Sequence, residues 1–212
     1  MEKQKKLISD NMQMLGLKPE DMVDFWLKNG MLSPMFLENA EKYEISFEVY
    51  PGWYAFEGYR FSPNPEAYPN RQGVVSFVDM SAPKGKRIGV LLPKMVMSTR
   101  YHSQTIWLGA NDENDGLKNS KLIGVEVDDF DVVGIDKDNI FSPAIKQLEA
   151  CGENQELVNP ALLAIGGDPL YEFIWSSTEV DEGYAYGIYF PNNTPVVTSK
   201  LNSFYERRMF LL

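Results

Sequence analysis

The sequence is poor in the residues that build thiol and metal chemistry. Cys151 is the sole cysteine and His102 the sole histidine among 212 residues. An intrachain disulfide and a cysteine metal cluster are therefore excluded. Zinc sites with several histidines and Cys–His dyads are limited by the same scarcity, although a Ser–His–acid set stays open by count. Basic residues are also short, 20 against 30 acidic ones, for a formal net charge of −10. That balance argues against the phosphate contacts of nucleic-acid binders and against an anionic membrane surface; it equally serves solubility. Long apolar runs are missing, so no membrane insertion is expected. The opening MEKQKKLISDNMQMLG starts basic but continues into neither an apolar run nor a small-residue cleavage site, so no secretory signal is expected. A disulfide-free chain without a signal fits synthesis in a reducing cytoplasm.

What is present is an ordinary globular composition, 44% hydrophobic, in a length that suits one large domain or a compact domain with an arm. Met12, Leu15, Met22, Phe25, Trp26 and Leu27 recur at helical spacing, punctuated by Gly16–Pro19, Gly30 and Pro34. Residues 1 to about 42 therefore read as helical. From Tyr43 the chain alternates apolar and polar residues (ISFEVYPGWYAFEGYRF), as a strand pair around Pro51-Gly52 would. The proline-rich SPNPEAYPN follows. It sets the expected division: residues 1–65 a helical arm with a short strand pair, residues 66–212 the main domain.

Within the main domain, Gly73–Asp79 and Ile88–Leu92 read as a hairpin closed through Pro83 and Gly85. Gln104–Leu108 is a further candidate strand. Asn111–Lys121 (NDENDGLKNSK) reads as a polar loop, and Leu122–Ile135 is ambiguous between strand and loop. Ser142-Pro143 offers an N-cap and first turn for a helix that Gly152 would end. A second helical stretch spans Gln155 to Ile165 and stops at Gly166-Gly167. The last segment, from Ile174, opens with Trp175-Ser176-Ser177-Thr178-Glu179 and then alternates aromatic and polar residues, as antiparallel strands with one buried face do.

This order of elements resembles a bacterial and phage family with a C-type-lectin-like fold, of the collagen-like-protein C-terminal domain type and related to retroelement-diversified variable proteins. The residues that carry the resemblance are the Gly-Val-Val hairpin (Gly73 to Leu92), the helices from Pro143 to Ile165 and the Gly166-Gly167 turn. Trp175 to Glu179, the aromatic strand Tyr184 to Phe190 and the Arg-containing strand Tyr205 to Phe210 complete it. Two elements depart from the family: its Gly-Trp-Tyr-Leu-Pro stands here as Gly134-Ile135-Asp136-Lys137, and its Val-Arg-Pro-Val as Glu206-Arg207-Arg208-Met209. The resemblance implies an α+β, C-type-lectin-like domain of short antiparallel strands with one or two helices.

Physically, the Trp-Ser-Ser-Thr-Glu piece reads as scaffold. Trp175 would fill the core where sheet meets helix, and the following oxygens would satisfy main-chain groups of adjoining loops. Tyr186, Ile188 and Phe190 fall on one strand face, expected buried, with Gly187 and Tyr189 on the other. The acids at Asp128, Asp129, Asp131, Asp136 and Asp138 do not form a twelve-residue calcium loop. The Glu-Pro-Asn and Trp-Asn-Asp elements of sugar-binding C-type lectins are missing too, so no cofactor or metal is expected. Neither a lone histidine nor Gly166-Gly167-Asp168 supplies a catalytic or phosphate-binding motif.

Binding is the stronger expectation. The last strands and turns offer Asp181, Glu182, Tyr184, Tyr189, Asn192, Asn193, Asn202, Phe204 and Tyr205, a mix of rigid rings and adaptable amides of the kind paratopes use. The expected function is a non-enzymatic, calcium-independent binding module for a protein or glycan ligand. It would be displayed on a particle or cell surface, for example as a phage tail or fibre component, with the N-terminal helices joining it into an oligomer. The alternative is a structural assembly protein whose lectin-like fold packs against neighbouring subunits.

Overall fold

The computed structural model describes residues 49–98, 108–124 and 132–212. The expected helical arm, residues 104–107 of a candidate strand, His102 and the acids Asp128, Asp129 and Asp131 lie outside them.

Among the described residues, eight strands form one sheet. They are β1 (Tyr54–Phe56), β2 (Arg60–Ser62), β3 (Arg71–Val78), β4 (Ile88–Met97), β5 (Phe173–Glu179), β6 (Tyr184–Tyr189), β7 (Thr194–Ser199) and β8 (Tyr205–Leu211), in the order β2-β1-β3-β4-β8-β5-β6-β7. Neighbours are antiparallel except β5 and β8, which run parallel with Ile174 beside Tyr205 and Trp175 beside Glu206. Three helices complete the described architecture: α1 (Gly116–Ile123), α2 (Ile145–Glu153) and α3 (Gln155–Ala164). The fold is α+β.

The expected hairpin is present as β3 and β4, with Val74 opposite Leu91 and Val75 opposite Val90. Its apolar run has no polar alternation because both faces are covered. Val74, Leu91 and Met209 pack with Leu148, Val158 and Leu162 of α2 and α3. Val75, Val90 and Phe210 point the other way, into a second cluster with Ala55, Phe61 and Ile140. Such a strand reads as a continuous hydrophobic stretch.

Several boundaries differ from expectation. Of the strand pair expected around Pro51-Gly52, most of the first strand lies outside the described residues; the second half folds back on itself as β1 and β2, turning at residues 57–59, where Gly58 and Tyr59 take positive φ. Pro51-Gly52 instead docks the chain on α3: Gly52 has φ +87, and a Cβ there would lie 2.7 Å from the Leu157 carbonyl oxygen. β1 pairs with β3, so the sheet continues across residue 65, the expected domain boundary. Asn111–Lys121, read as a loop, contains most of α1. The helix has few apolar residues and is held by its ends: Asp115 accepts the Lys118 N–H at the start, and Gly124 closes it in a left-handed cap. Both devices are standard helix terminators, and only the caps mark it in sequence. α2 begins at Ile145 rather than at Pro143. Ser142 is not its cap; its main-chain N–H donates to the Ser120 hydroxyl at 3.0 Å. Two other side chains serve the α2 start, Thr178 Oγ1 accepting from Ile145 N–H (3.1 Å) and Gln147 Oε1 accepting from Ala144 N–H (2.9 Å).

Candidate binding surface

The Trp-Ser-Ser-Thr-Glu stretch is β5, and its hydroxyls work because the strand leaves its ladder. β5 pairs with β6 from Phe173 to Trp175 and again at Glu179, with a register shift between. The intervening residues bond elsewhere. Ser176 Oγ donates to Tyr186 O (2.8 Å) and accepts from Thr178 N–H (3.1 Å). Ser177 N–H donates to Pro143 O at 2.8 Å. Thr178 Oγ1 donates to Asp112 O at 3.3 Å while capping α2. The expectation that these side chains satisfy adjoining loops is met at Thr178 and Glu179, whereas the Ser176 hydroxyl bonds strand main chain and Ser177 contributes its main-chain N–H. Glu179 anchors the loop before α1: its Oε2 accepts the N–H groups of Leu108 (3.0 Å) and Ala110 (2.9 Å). Its Oε1 pairs with Lys200 Nζ at 2.6 Å, with both side chains fully buried.

Trp175 differs from expectation. Its neighbour Ile174 points to the helices, so the indole lies on the opposite face, packed with Ala185, Phe173 and Phe204. The rings of Phe173 and Phe204 lie 4.2 Å apart between centroids, and Trp175 meets Phe173 edge-on at 5.6 Å. Phe173 also covers Gly187, where a Cβ would collide with its ring. That is why β6 carries a glycine among aromatics.

A second buried polar centre joins the Gly-Gly turn to the closing strand. Arg207 is fully buried; its Nη1 donates to the carbonyls of Leu92 (2.9 Å) and Pro93 (2.7 Å), and its Nη2 to that of Asp168. Burial pushes its pKa down to about 10, and the Asp168 carboxylate acts in the opposite direction. A Cβ at Gly167 would meet the Pro93 carbonyl oxygen at 2.7 Å, so glycine is needed for this close approach. Asp168 accepts from Met95 N–H (2.9 Å) and Lys94 Nζ (3.2 Å). Burial acts to raise its pKa, but these partners together hold it below the usual value. Cys151 is buried in the helix-facing core, its thiol pushed up to about 12 by desolvation.

The nine candidate binding residues do not form one cluster. Tyr189, Asn202 and Phe204 belong to the sheet face away from the helices, where Asn202 Nδ2 donates to Thr198 Oγ1 at 2.8 Å. Asp181, Glu182 and Tyr184 sit at the β5–β6 turn. There Asp181 Oδ1 accepts from Gly183 and Tyr184 N–H, so this side chain shapes the turn. Asn192 and Asn193 lie at the other end of β6, about 17 Å away at about 3.3 Å per residue. Asn193 is structural: it has φ +48, and its Nδ2 donates to Glu149 O at 3.2 Å over Gly152. Tyr205 is apart again, lining an open cleft of about 330 Å³ with Met95, Asp168, Pro169, Tyr171 and Glu172. The burial expected along β6 holds, with Ile188 and Phe190 buried, Tyr186 packed on the helix-side core and Tyr189 46% exposed.

Sequence reasoning passes over the exposed aliphatic residues of this region. Fifteen large apolar side chains are exposed among the described residues. Six of them lie between Val180 and Leu201: Val180, Tyr184, Tyr189, Val196, Val197 and Leu201. The available signal is the uncharged, β-branched run Thr194–Ser199 that follows the Asn192-Asn193 turn.

Among the described residues, the fold and this surface define an α+β architecture with one mixed sheet, helices on one face and a hairpin with exposed apolar side chains at one end. No family model matches the chain, and no curated protein matches it. Among solved structures it is similar to a fimbrial protein from Bacteroides ovatus ATCC 8483, with a TM-score of 0.59 at 15% identity over 78% of this chain. The match covers 49% of that protein, so the chain spans about half its length. At that identity the likeness is one of fold.

Proposed function

We propose that the chain is a non-enzymatic binding module of the C-type-lectin-like kind, displayed on a particle or cell surface, with the hairpin of residues 180–201 as its contact surface. The carrying observation is the share of exposed apolar side chains on that hairpin, with Tyr184 and Val197 on its helix side and Tyr189 and Val196 on its other face, since exposed apolar surface beyond single scattered residues marks interaction sites. Buried polar groups support the same reading. Glu179, Lys200 and Arg207 are engaged in holding loops, and the Cys151 thiol stays protonated in the core. The ends of β6 lie too far apart for one small ligand to touch both. A protein surface or an extended glycan fits that span.

A phage tail or fibre is the setting we favour, with the expected helices of residues 1 to about 42 as the attachment arm. Fold-level likeness to a fimbrial protein supports display on a surface. Screening against glycans and surface proteins tests the reading, using wild type, Tyr184→Ala/Tyr189→Ala and Tyr205→Ala. Loss of binding in the first variant with retention in the second locates the contact on the hairpin. Unchanged binding in the Tyr184/Tyr189 variant removes that surface.

The assembly reading, in which the fold packs against neighbouring subunits, is favoured by one separate feature: β7 ends the sheet with its outer edge unpaired among the described residues.

A further inference from the structure

The free edge of β7 carries a hydrogen-bonding pattern that complements itself. Two hydrogen bonds fix the alternation of the strands beside it: Phe190 N–H donates to Glu172 O at 3.3 Å and Lys200 N–H to Gly183 O at 2.9 Å. In an antiparallel ladder, residues alternate between bonding one neighbour and bonding the other. Ala185, Gly187 and Tyr189 therefore exchange bonds with Thr198, Val196 and Thr194. The main-chain groups of Pro195, Val197 and Ser199 point outward. Pro195 has no N–H to offer. The Ser199 carbonyl already accepts the Asn202 N–H at 3.0 Å. What remains along the edge is an acceptor at Pro195, a donor and an acceptor at Val197, and a donor at Ser199.

Set antiparallel against a second copy about Val197, every one of these groups finds its partner. Val197 N–H and C=O exchange bonds with their symmetry mates, and each Ser199 N–H meets the other copy's Pro195 carbonyl. Nothing is left over. A strand of ordinary residues would instead bring a carbonyl opposite Pro195, where there is no donor, and an N–H opposite the occupied Ser199 carbonyl. Charge points the same way. β7 reads Thr-Pro-Val-Val-Thr-Ser, without a charged residue, in a chain of net charge −10. Two copies repel least where they meet at a neutral strand. The edge also lacks the lysines that commonly block such pairing, and Val196 and Val197 are 36% and 47% exposed.

We propose that two copies of the chain associate by antiparallel pairing of β7 with β7 about a two-fold axis at Val197, joining two eight-stranded sheets into one. This is strand addition with the chain as its own partner. Two six-residue strands bury less than the roughly 1,200 Å² of stable complexes, so the dimer is weak and concentration-dependent.

Sedimentation velocity of the full chain over a wide concentration range tests it, together with hydrogen exchange read at single amides. The expected result is a reversible monomer–dimer equilibrium, with exchange at Val197 and Ser199 slowing as concentration rises. Val197→Pro removes the central outward N–H without touching the bonds to β6, and weakens the dimer about tenfold or more. Val197→Thr, which keeps the backbone and β-branching, preserves it. Leu201→Lys, off the edge, leaves it unchanged. Melting temperatures confirm that all three variants are folded. A chain that is monomeric throughout, a dimer indifferent to Val197→Pro, or one lost equally with Leu201→Lys overturns the proposal. Ligand binding by the monomeric Val197→Pro variant is scored separately, so the contact surface and the dimer can fail independently.

Discussion

The Arg207 centre and the β6–β7 hairpin use side chains in opposite ways. At Arg207 a charge is fully buried, and its guanidinium reaches three main-chain carbonyls from two separate segments. On the hairpin, valines and tyrosines that a core would accept are left in solvent. The first arrangement is costly unless every contact is kept, because an unpaired buried charge is strongly destabilising. The second adds little to stability and leaves surface free for a partner. Framework and contact surface are thus separated by where the chain hides charge and where it exposes carbon.

Substitutions can break this contrast in graded steps. Arg207→Leu removes the guanidinium from the carbonyls of Leu92, Pro93 and Asp168, of which that of Pro93 keeps the Asp168 N–H at 2.8 Å, and costs about 3 kcal/mol, measured as a lower denaturant midpoint; a loss below about 1 kcal/mol would mean that the centre is not structural. Lys200→Met leaves Glu179 charged, with only the Leu108 and Ala110 N–H groups, and costs about 3 kcal/mol. Increased proteolysis around residues 108–112 should accompany it.

Asp168 gives a smaller effect that depends on pH. Its pKa is lowered in the folded state, so it stabilises above the unfolded value of about 3.9, and the benefit fades as pH falls through that value toward the lower folded one. The carboxylate is about one-third exposed, so solvent screening limits the contribution to less than about 1 kcal/mol. Asp168→Asn should flatten acid unfolding below about pH 4 and leave a reduced stability above it. On the hairpin, Tyr184→Ala and Tyr189→Ala should each shift stability by no more than about 0.5 kcal/mol while weakening ligand binding. Smallest of all is the response of Cys151, which should resist thiol alkylation at about pH 8 in the native chain and react once unfolded.

The parts legible in sequence are those with a local signature. The β3–β4 hairpin shows as two apolar runs around Pro83 and Gly85, α3 as a helical stretch ending at Gly166-Gly167, and the roles of Thr178 and Glu179 as hydrogen-bonding side chains next to irregular chain. α1 escapes such a reading because capping by Asp115 and Gly124, rather than an apolar stripe, defines it. The start of α2 is displaced from Ser142-Pro143 because its caps come from Thr178, far along the chain, and from Gln147 inside the helix. Trp175 sits on the face opposite to the one expected because the parity of a strand does not say which side the helices cover. The nine binding candidates rest on residue type, and residue type cannot separate Asn193, which ties a turn to α2, from Asn202, which stands in solvent.

One consequence follows from the position of β8. The strand nearest the C-terminus lies inside the sheet and, among the described residues, is the ladder that links β2-β1-β3-β4 to β5-β6-β7. During synthesis the two halves can each form hairpins, but they cannot be welded until residues 205–211 leave the ribosome. Folding therefore finishes with long-range pairing, a slow step. A ribosome stalled before Tyr205 would hold two exposed inner edges open to aggregation, and chaperone demand should peak at that chain length.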